Sequence, residues 1–322
     1  MNDAGLRLNG FHHLTAVTAR ASANHAFYTG VMGLRLVKKT VNQDDVSAYH
    51  LYYADGLGSP GTDITFFDWP VGPERRGGRS VARTSFRLGS TASLLWWQAR
   101  FDALGVRHAP IAERDHRAVL DFEDPEGQRL GLVVNLGEAP GNPWIRSPVP
   151  AEHQVLGLGP VRMSVADIRP TERLLTGVLN MEAARTYHET DGGKRDVHVF
   201  TMAGHGAAAE LHVAVEPGLG PARPGAGGVH HLALRTPNAE EYSAWEERLL
   251  SSGIPSSGPV DRFYFQSLYF REPGGVLFEI ATDGPGFATD EPLDALGETL
   301  ALPPFLEGRR KEIEANLAPI AS

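Results

Sequence analysis

The sequence predicts an α+β protein in which four βαβββ modules, made by tandem duplication, pair into two cup-shaped half-barrels. Three observations predict it. First, segments recur at nearly one offset, the mark of a repeat architecture. Phe27-Tyr28-Thr29-Gly30-Val31-Met32-Gly33-Leu34 matches Leu174-Leu175-Thr176-Gly177-Val178-Leu179-Asn180-Met181 with its glycines 147 apart. Trp97 to Gly105 matches Trp245 to Gly253, and Phe122 to Gly127 matches Phe270 to Gly275, both at 148. Second, each half divides again into a strand, an amphipathic helix ending near a glycine, and three strands with turns between them. Third, two histidines open an apolar strand at each end: Gly10-Phe11-His12-His13-Leu14-Thr15-Ala16-Val17, and Gly227-Gly228-Val229-His230-His231-Leu232-Ala233-Leu234.

In chain order, the first module places strands at about 11–18, 34–41, 47–54 and 62–68, with a helix over 22–32. The second runs from about Val81 to Val134; its helix carries Leu94-Leu95-Trp96-Trp97, and its last hairpin turns at Asp124-Pro125-Glu126-Gly127. The third spans Gly159 to Val215 and the fourth Gly228 to Thr282. The linkers Pro70–Ser80, Gly137–Glu152 and Glu216–Gly227 are polar or rich in Pro and Gly. A tail, Gly284–Ser322, contains Leu302-Pro303-Pro304-Phe305-Leu306-Glu307 and a helix over Gly308–Leu317, and reads as a cover or an extended contact. The expected division is 1–150, 151–283 and the tail 284–322. One module is too short to be a domain, but paired sheets can curl into a cup. Gly204-His205-Gly206 lacks a following phosphate-binding helix and no Walker motif appears, which argues against nucleotide-binding folds.

Composition narrows the chemistry. A formal charge of −9 and a pI near 5.8 argue against nucleic acid as a partner. No apolar run approaches the ~20 residues that cross a bilayer, and Met1–Asn9 lacks a signal-peptide core. A cytoplasmic protein is expected, with self-association into a homo-oligomer left open. With no cysteine, thiolate catalysis, iron–sulfur clusters and Cys-type zinc sites are excluded, so a metal must use His and carboxylate.

Strand alternation puts His13 and Thr15 on one face and His12 on the other; His231 and Ala233 share a face, with His230 opposite. Glu279 is a lone carboxylate in Val276-Leu277-Phe278-Glu279-Ile280-Ala281, and a buried carboxylate needs a partner. Shifted by 148, His231 falls on Arg83, Glu279 on Gly131 and His13 on Val161, so the three candidate ligands vanish together from the mirror positions. That predicts one active cup, made by the first and fourth modules, and one vacant structural cup made by the second and third. Two imidazoles and a carboxylate leave open positions and suit Fe(II), with Mn(II) as the alternative and Zn(II) or Ni(II) less favoured. If the last hairpin turns at Gly274, Tyr269 faces Glu279 as its cross-strand neighbour and can act as an acid. Upstream, Arg262, Tyr264 and Gln266 alternate onto one face, where a guanidinium suits a phenolate. His12 and His230 are expected to support their neighbouring ligands or move protons. His50, His198, His205 and His212 read as structural or exposed, Trp96 and Trp97 as helix packing, and Arg309-Arg310-Lys311 as a solvated helix face.

At these residues the chain resembles the vicinal oxygen chelate superfamily of glyoxalases, bleomycin- and fosfomycin-resistance proteins and extradiol dioxygenases. Within it, the chain is most similar to hydroquinone-type ring-cleaving dioxygenases. The carriers are His12-His13-Leu14-Thr15, Leu36-Val37-Lys38-Lys39-Thr40-Val41-Asn42, Tyr49-His50-Leu51-Tyr52-Tyr53, Gly58-Ser59-Pro60-Gly61-Thr62, Thr65-Phe66-Phe67 and Leu302-Pro303-Pro304. The resemblance implies Fe(II) on His13, His231 and Glu279, with His12, Thr15, His230, Arg262 and Tyr269 around the pocket. Thr15 and Tyr264 are the expected substrate contacts. It implies O2 insertion beside a hydroxyl of a small hydroquinone-like ring. Cleavage of a catechol, or a glyoxalase-like isomerase or transferase using Ni(II) or Zn(II), are the enzymatic alternatives; a metal-free sequestering protein is the other. Glyoxalase chemistry calls for a second carboxylate ligand, and Thr65-Phe66-Phe67 offers none.

Overall fold

The computed structural model describes residues 5–138, 141–189, 194–204 and 206–320; His205 lies outside them. The first module contains β1 (Phe11–Thr18), β2 (Arg35–Val41), β3 (Tyr49–Ala54) and β4 (Asp63–Asp68). The second contains β5 (Ser80–Leu88), β6 (Ala112–Arg114), β7 (Arg117–Glu123) and β8 (Arg129–Val134). The third contains β9 (Leu158–Val165), β10 (Glu182–Glu189), β11 (Arg195–Thr201) and β12 (Glu210–Val215). The fourth contains β13 (Val229–Thr236), β14 (Val260–Asp261), β15 (Phe265–Arg271) and β16 (Leu277–Pro285).

One helix follows the first strand of each module. In the second and fourth modules these are α2 (Thr91–Leu104) and α4 (Ala239–Ser251); the short helices α1 (Ala21–His25) and α3 (Ile168–Glu172) each continue into a π-helical turn. The caps explain where the long ones start. Ser90 and Asn238 accept from the backbone N–H of Ser93 and Glu241, filling donors a helix start leaves open. Trp97 of α2 and Trp245 of α4, 148 residues apart, are fully buried in the core that lies between helices and sheets.

The strands form two eight-stranded sheets, ordered β14-β15-β16-β13-β1-β4-β3-β2 and β10-β11-β12-β9-β5-β8-β7-β6. The first and fourth modules therefore share one curled sheet and the second and third share the other, as the vanished ligands predict. In each, the opening strands of two modules pair antiparallel at the centre, β1 with β13 and β5 with β9.

The register corrects one sequence expectation. Thr15 faces His231 across β1–β13, and Arg162 faces Arg83 across β5–β9. With His231 equivalent to Arg83 at 148, Thr15 is equivalent to Arg162 at 147. Gly10 and Gly157, both at positive φ, and the positive-φ pair Gly33 and Asn180 repeat that 147 spacing. The counterpart of His13 is thus Pro160, not Val161. Val161 is a buried core residue, as Leu14 is in β1. A one-residue slip moves a strand's side chains to the opposite face, so the distinction matters.

The tail crosses the first sheet after β16 and pairs with its edge strand: the Ala301 N–H donates to the Lys39 carbonyl at 2.9 Å. Fully buried Lys38 is neutralised by the tail's Asp290, at 2.7 Å, and Glu291. This covers unpaired backbone that an edge strand would otherwise expose. The tail ends in two short helices, α5 (Pro304–Glu307) and α6 (Arg310–Asn316). No helix among the described residues is long and apolar enough to cross a membrane.

Candidate metal centre

The centre of the first sheet brings together residues from opposite ends of the chain. His13 on β1 sits across from Ala233 on β13, Ala233 beside Glu279 on β16, and Glu279 across from Tyr269 on β15. One residue row therefore carries His13, Glu279 and Tyr269, and His231 lies two residues from that row on the same face. The cross-strand pairing of Tyr269 with Glu279 is the one that counting back from the hairpin turn anticipates.

Three donor atoms converge. His13 Nε2 is 3.3 Å from His231 Nε2 and 3.3 Å from Glu279 Oε2, and His231 Nε2 is 3.0 Å from the same oxygen. All three residues are buried, and among the described residues Glu279 Oε2 meets only the two imidazole Nε2 atoms. Donors ~2.1 Å from one ion stand about 3.0–3.4 Å apart for angles between octahedral and tetrahedral. The set fits a divalent ion. Burial pushes the Glu279 carboxyl up, but its histidine neighbours outweigh burial and hold it well below the usual carboxylate range.

The outer atom of each candidate ligand is also held. His12 Nδ1 lies 2.8 Å from His13 Nδ1, His230 Nδ1 lies 2.7 Å from His231 Nδ1, and Ser267 Oγ donates to Glu279 Oε1 at 2.5 Å. Simple alternation places His12 and His230 on the opposite face. Their rings nevertheless reach the ligands, and the β1–β13 register is irregular at Phe11/His13 and Thr15/Ala16. Burial, and then the adjacent histidine, lower both His12 and His230 to about 3, so both are neutral near pH 7. A neutral partner can accept from the ligand's Nδ1–H and leave its Nε2 lone pair for a metal.

The small cavity beside these donors, about 30 Å³, is lined by His13, His231, Arg262, Tyr269, His50 and Tyr52, with Phe67 and Phe265 as walls. Arg262 Nε donates to the Tyr269 hydroxyl at 3.3 Å, and its Nη2 reaches Asp44 of the first module at 2.8 Å. Burial opposes charge on Arg262, but Asp44 and Tyr269 more than offset it, so the guanidinium stays charged. Burial, then the Glu279 charge, push the Tyr269 phenol well up and keep it protonated.

Two expected substrate contacts sit elsewhere. Tyr264 is buried under Lys38, with its hydroxyl donating to Asp290 of the tail at 2.8 Å. A left-handed residue, Phe263 at φ 68°, interrupts the backbone between Arg262 and β15, so the alternation that put Tyr264 beside Arg262 does not hold. Thr15 is fully buried, its Oγ1 2.8 Å from Thr65 Oγ1. That pair leads to a group not singled out in the sequence. Thr65 Oγ1 is 2.9 Å from His50 Nε2, and the Tyr52 hydroxyl is 2.9 Å from His50 Nδ1. His50, expected to be structural or exposed, is half-buried and lines the pocket. Its sequence signals are alternation within Tyr49-His50-Leu51-Tyr52 and its place in the Tyr49–Tyr53 run that carries the family resemblance.

The model of the Glyoxalase/Bleomycin resistance protein/Dioxygenase superfamily matches residues 10–132 and again 157–280. The chain is 44% identical over 318 residues to "Putative ring-cleaving dioxygenase MhqA" of Bacillus subtilis (strain 168), covering 98% of this chain and 100% of that protein. It is 28% identical over 314 residues to the chlorohydroquinone/hydroquinone 1,2-dioxygenase of Sphingobium indicum, covering 95% of each. A crystal structure of a Bacillus subtilis "putative dioxygenase" superposes with a TM-score of 0.90 at 35% identity, covering 98% of both chains. Maize glyoxalase I, at 13% identity, a TM-score of 0.64 and coverage of 85% of this chain and 92% of its own, shares the fold.

Proposed function

Because the chain belongs to the Glyoxalase/Bleomycin resistance protein/Dioxygenase superfamily, we propose that it is a ring-cleaving dioxygenase of extradiol type acting on a hydroquinone-like phenol in the cytoplasm. His13, His231 and Glu279 hold Fe(II), with Mn(II) the alternative. The observation that carries this reading is the convergence of three buried donors whose outer atoms are each already engaged. Held by His13, His231 and Glu279, the ion would supply Lewis-acid and one-electron chemistry towards a phenolic substrate and O2.

The chain's own residues do the rest. His12 and His230 orient the imidazoles. Arg262 presents positive charge to the substrate oxygen. Tyr269, kept protonated, holds a proton next to the reacting oxygens and donates it as the ring opens. Phe67 and Phe265 flank the ring and exclude water. The space beside the donors, about 30 Å³, holds roughly one water.

The glyoxalase reading is disfavoured at β4. Thr65 stands beside Thr15 as Glu279 stands beside Ala233, and a hydroxyl fills the place a fourth ligand would need. The test is anaerobic loading with Fe(II), then oxygen uptake over a panel of hydroquinones and catechols. Uptake with hydroquinones, and with Fe(II) or Mn(II) but not Zn(II), is expected; no uptake with any phenol would sink the assignment.

A further inference from the structure

A short strap, residues 42–48 between β2 and β3, reaches across the pocket to Arg262 of the fourth module. Its own polar groups order it. Asn42 Oδ1 accepts from the Asp44 N–H at 2.9 Å, the side-chain turn that Asn favours. The Asn42 N–H donates to the Ala48 carbonyl at 2.9 Å, and the Ala48 N–H to the Asp45 carbonyl at 3.1 Å. Gln43 Nε2 donates to the Arg262 carbonyl at 2.8 Å, so the strap holds that residue by backbone as well as by side chain. Asn42, Gln43 and Asp44 all line the metal cavity.

The Arg262 guanidinium is held at two of its three nitrogens, Nη2 by Asp44 and Nε by the Tyr269 hydroxyl, with Nη1 unused among the described residues. A planar fork fixed at two nitrogens has its plane set, and with it the aim of the third. Because the Tyr269 oxygen accepts from Nε, its own proton stays free to donate. The second cup shows what this arrangement replaces. There Arg114, the counterpart of Arg262, meets Asp121 through Nη1 at 3.1 Å and Nη2 at 2.6 Å, and Glu189 through Nε at 3.3 Å. The first cup has uncharged Tyr269 and Asn42 at those two positions. Its carboxylate for the arginine comes instead from Asp44, two residues further along and outside the donor set. The Asp44 side chain is 71% exposed, and a pair so open to water adds little to stability. Its effect is on geometry.

We infer that Asp44 is a positioning residue for Arg262 and Tyr269: it sets the guanidinium plane and, through it, the phenol beside the donor set. The consequence for turnover rests on the dioxygenase reading above; the positioning itself does not. Two measurements test it. With isotopically labelled arginine and no substrate, the NMR signal of the Arg262 Nε–H, identified by its absence in Arg262→Lys, should exchange slowly with solvent. Asp44→Ala should broaden or abolish it. In Fe(II)-loaded enzyme, Asp44→Ala should lower kcat about tenfold with metal content and thermal midpoint unchanged. Asp44→Asn, whose amide oxygen still accepts from Nη2, should keep most of the rate. Adding Asp44→Ala to Arg262→Ala should cost nothing more. A freely exchanging Nε–H in the wild type, an unchanged signal in Asp44→Ala, an unchanged rate of an active enzyme, or losses that add in the double variant would each overturn the assignment. If the signal is protected and depends on Asp44 while no phenol is oxidised, the positioning stands and the dioxygenase reading falls.

Discussion

The two cups share a backbone and treat charge in opposite ways. Where the first cup has His231, Glu279, His13, Tyr269 and Arg262, the second has Arg83, Gly131, Pro160, Asp121 and Arg114. Even the left-handed residue persists, as Phe263 at φ 68° in one and Asp115 at φ 51° in the other. The second cup is filled by ion pairs: Arg83 and Arg114 on Asp121, Arg162 on Glu189, Arg117 and Arg185 on Glu210. Asp115, Glu210 and His212 there also lie close enough to hold an ion. Yet Arg185 contacts both carboxylates, and Arg117 takes both oxygens of Glu210. Proximity of ligand-type residues is therefore not enough. In the first cup no guanidinium reaches the donor set among the described residues, and Oε2 of Glu279 faces only imidazoles. The same lesson appears at Asp63, whose 147-residue counterpart is Glu210. Asp63 has no cation beside it among the described residues, and burial, then the Asp55 charge, raise its carboxyl well above the usual range despite Thr62. Burial acts the same way on Glu210, but Arg117, His212 and Arg185 reverse it and hold the carboxyl far below.

The largest effect should come from Glu279→Gln. It should lose bound metal and oxygen uptake to background with the thermal midpoint little changed, because the fold persists in the second cup without any such ligand. Metal analysis with a retained stoichiometric ion would break the comparison. Tyr269→Phe should keep the metal and slow turnover by about 10²-fold; an unchanged rate would reduce Tyr269 to packing. In the other cup, Glu210→Gln should leave metal content intact and cost about 1–3 kcal/mol in urea unfolding, since two partly buried arginines lose a charged hydrogen-bond partner. Loss of metal in that variant would show that the cups are not independent.

The pH dependence sharpens the same contrast. The folded-state pKa of Glu210 is depressed, so its contribution to stability is full above the unfolded carboxylate range, about 4.3, and is lost as pH falls through and below it. Wild-type stability should therefore drop in acid, and Glu210→Gln should flatten that slope; parallel curves would remove Glu210 as the cause. The smallest effect is expected from Tyr52→Phe. Removing the end of the Tyr52–His50–Thr65–Thr15 chain should change KM or kcat by only a few-fold, with metal affinity unchanged.

The repeat, the modules, the two candidate histidine ligands and Glu279 were legible in sequence because each breaks a local pattern: paired histidines at a strand start, a carboxylate in an apolar strand, a trio missing at its mirror. Tyr269 was legible because a tight hairpin ties register to residue counting. Other features were decided only in three dimensions. The counterpart of His13 moved from Val161 to Pro160 because the two module pairs differ by one residue in spacing, and only strand pairing reveals it. His12 and His230 reach their neighbours where strand register is irregular. Tyr264 left the pocket because of one left-handed residue. The places of His50 and Asp44 beside the pocket depend on contacts between segments far apart in the chain. Periodicity determines which face a side chain takes within its own strand; which distant group it meets there follows from how the strands, linkers and tail pack.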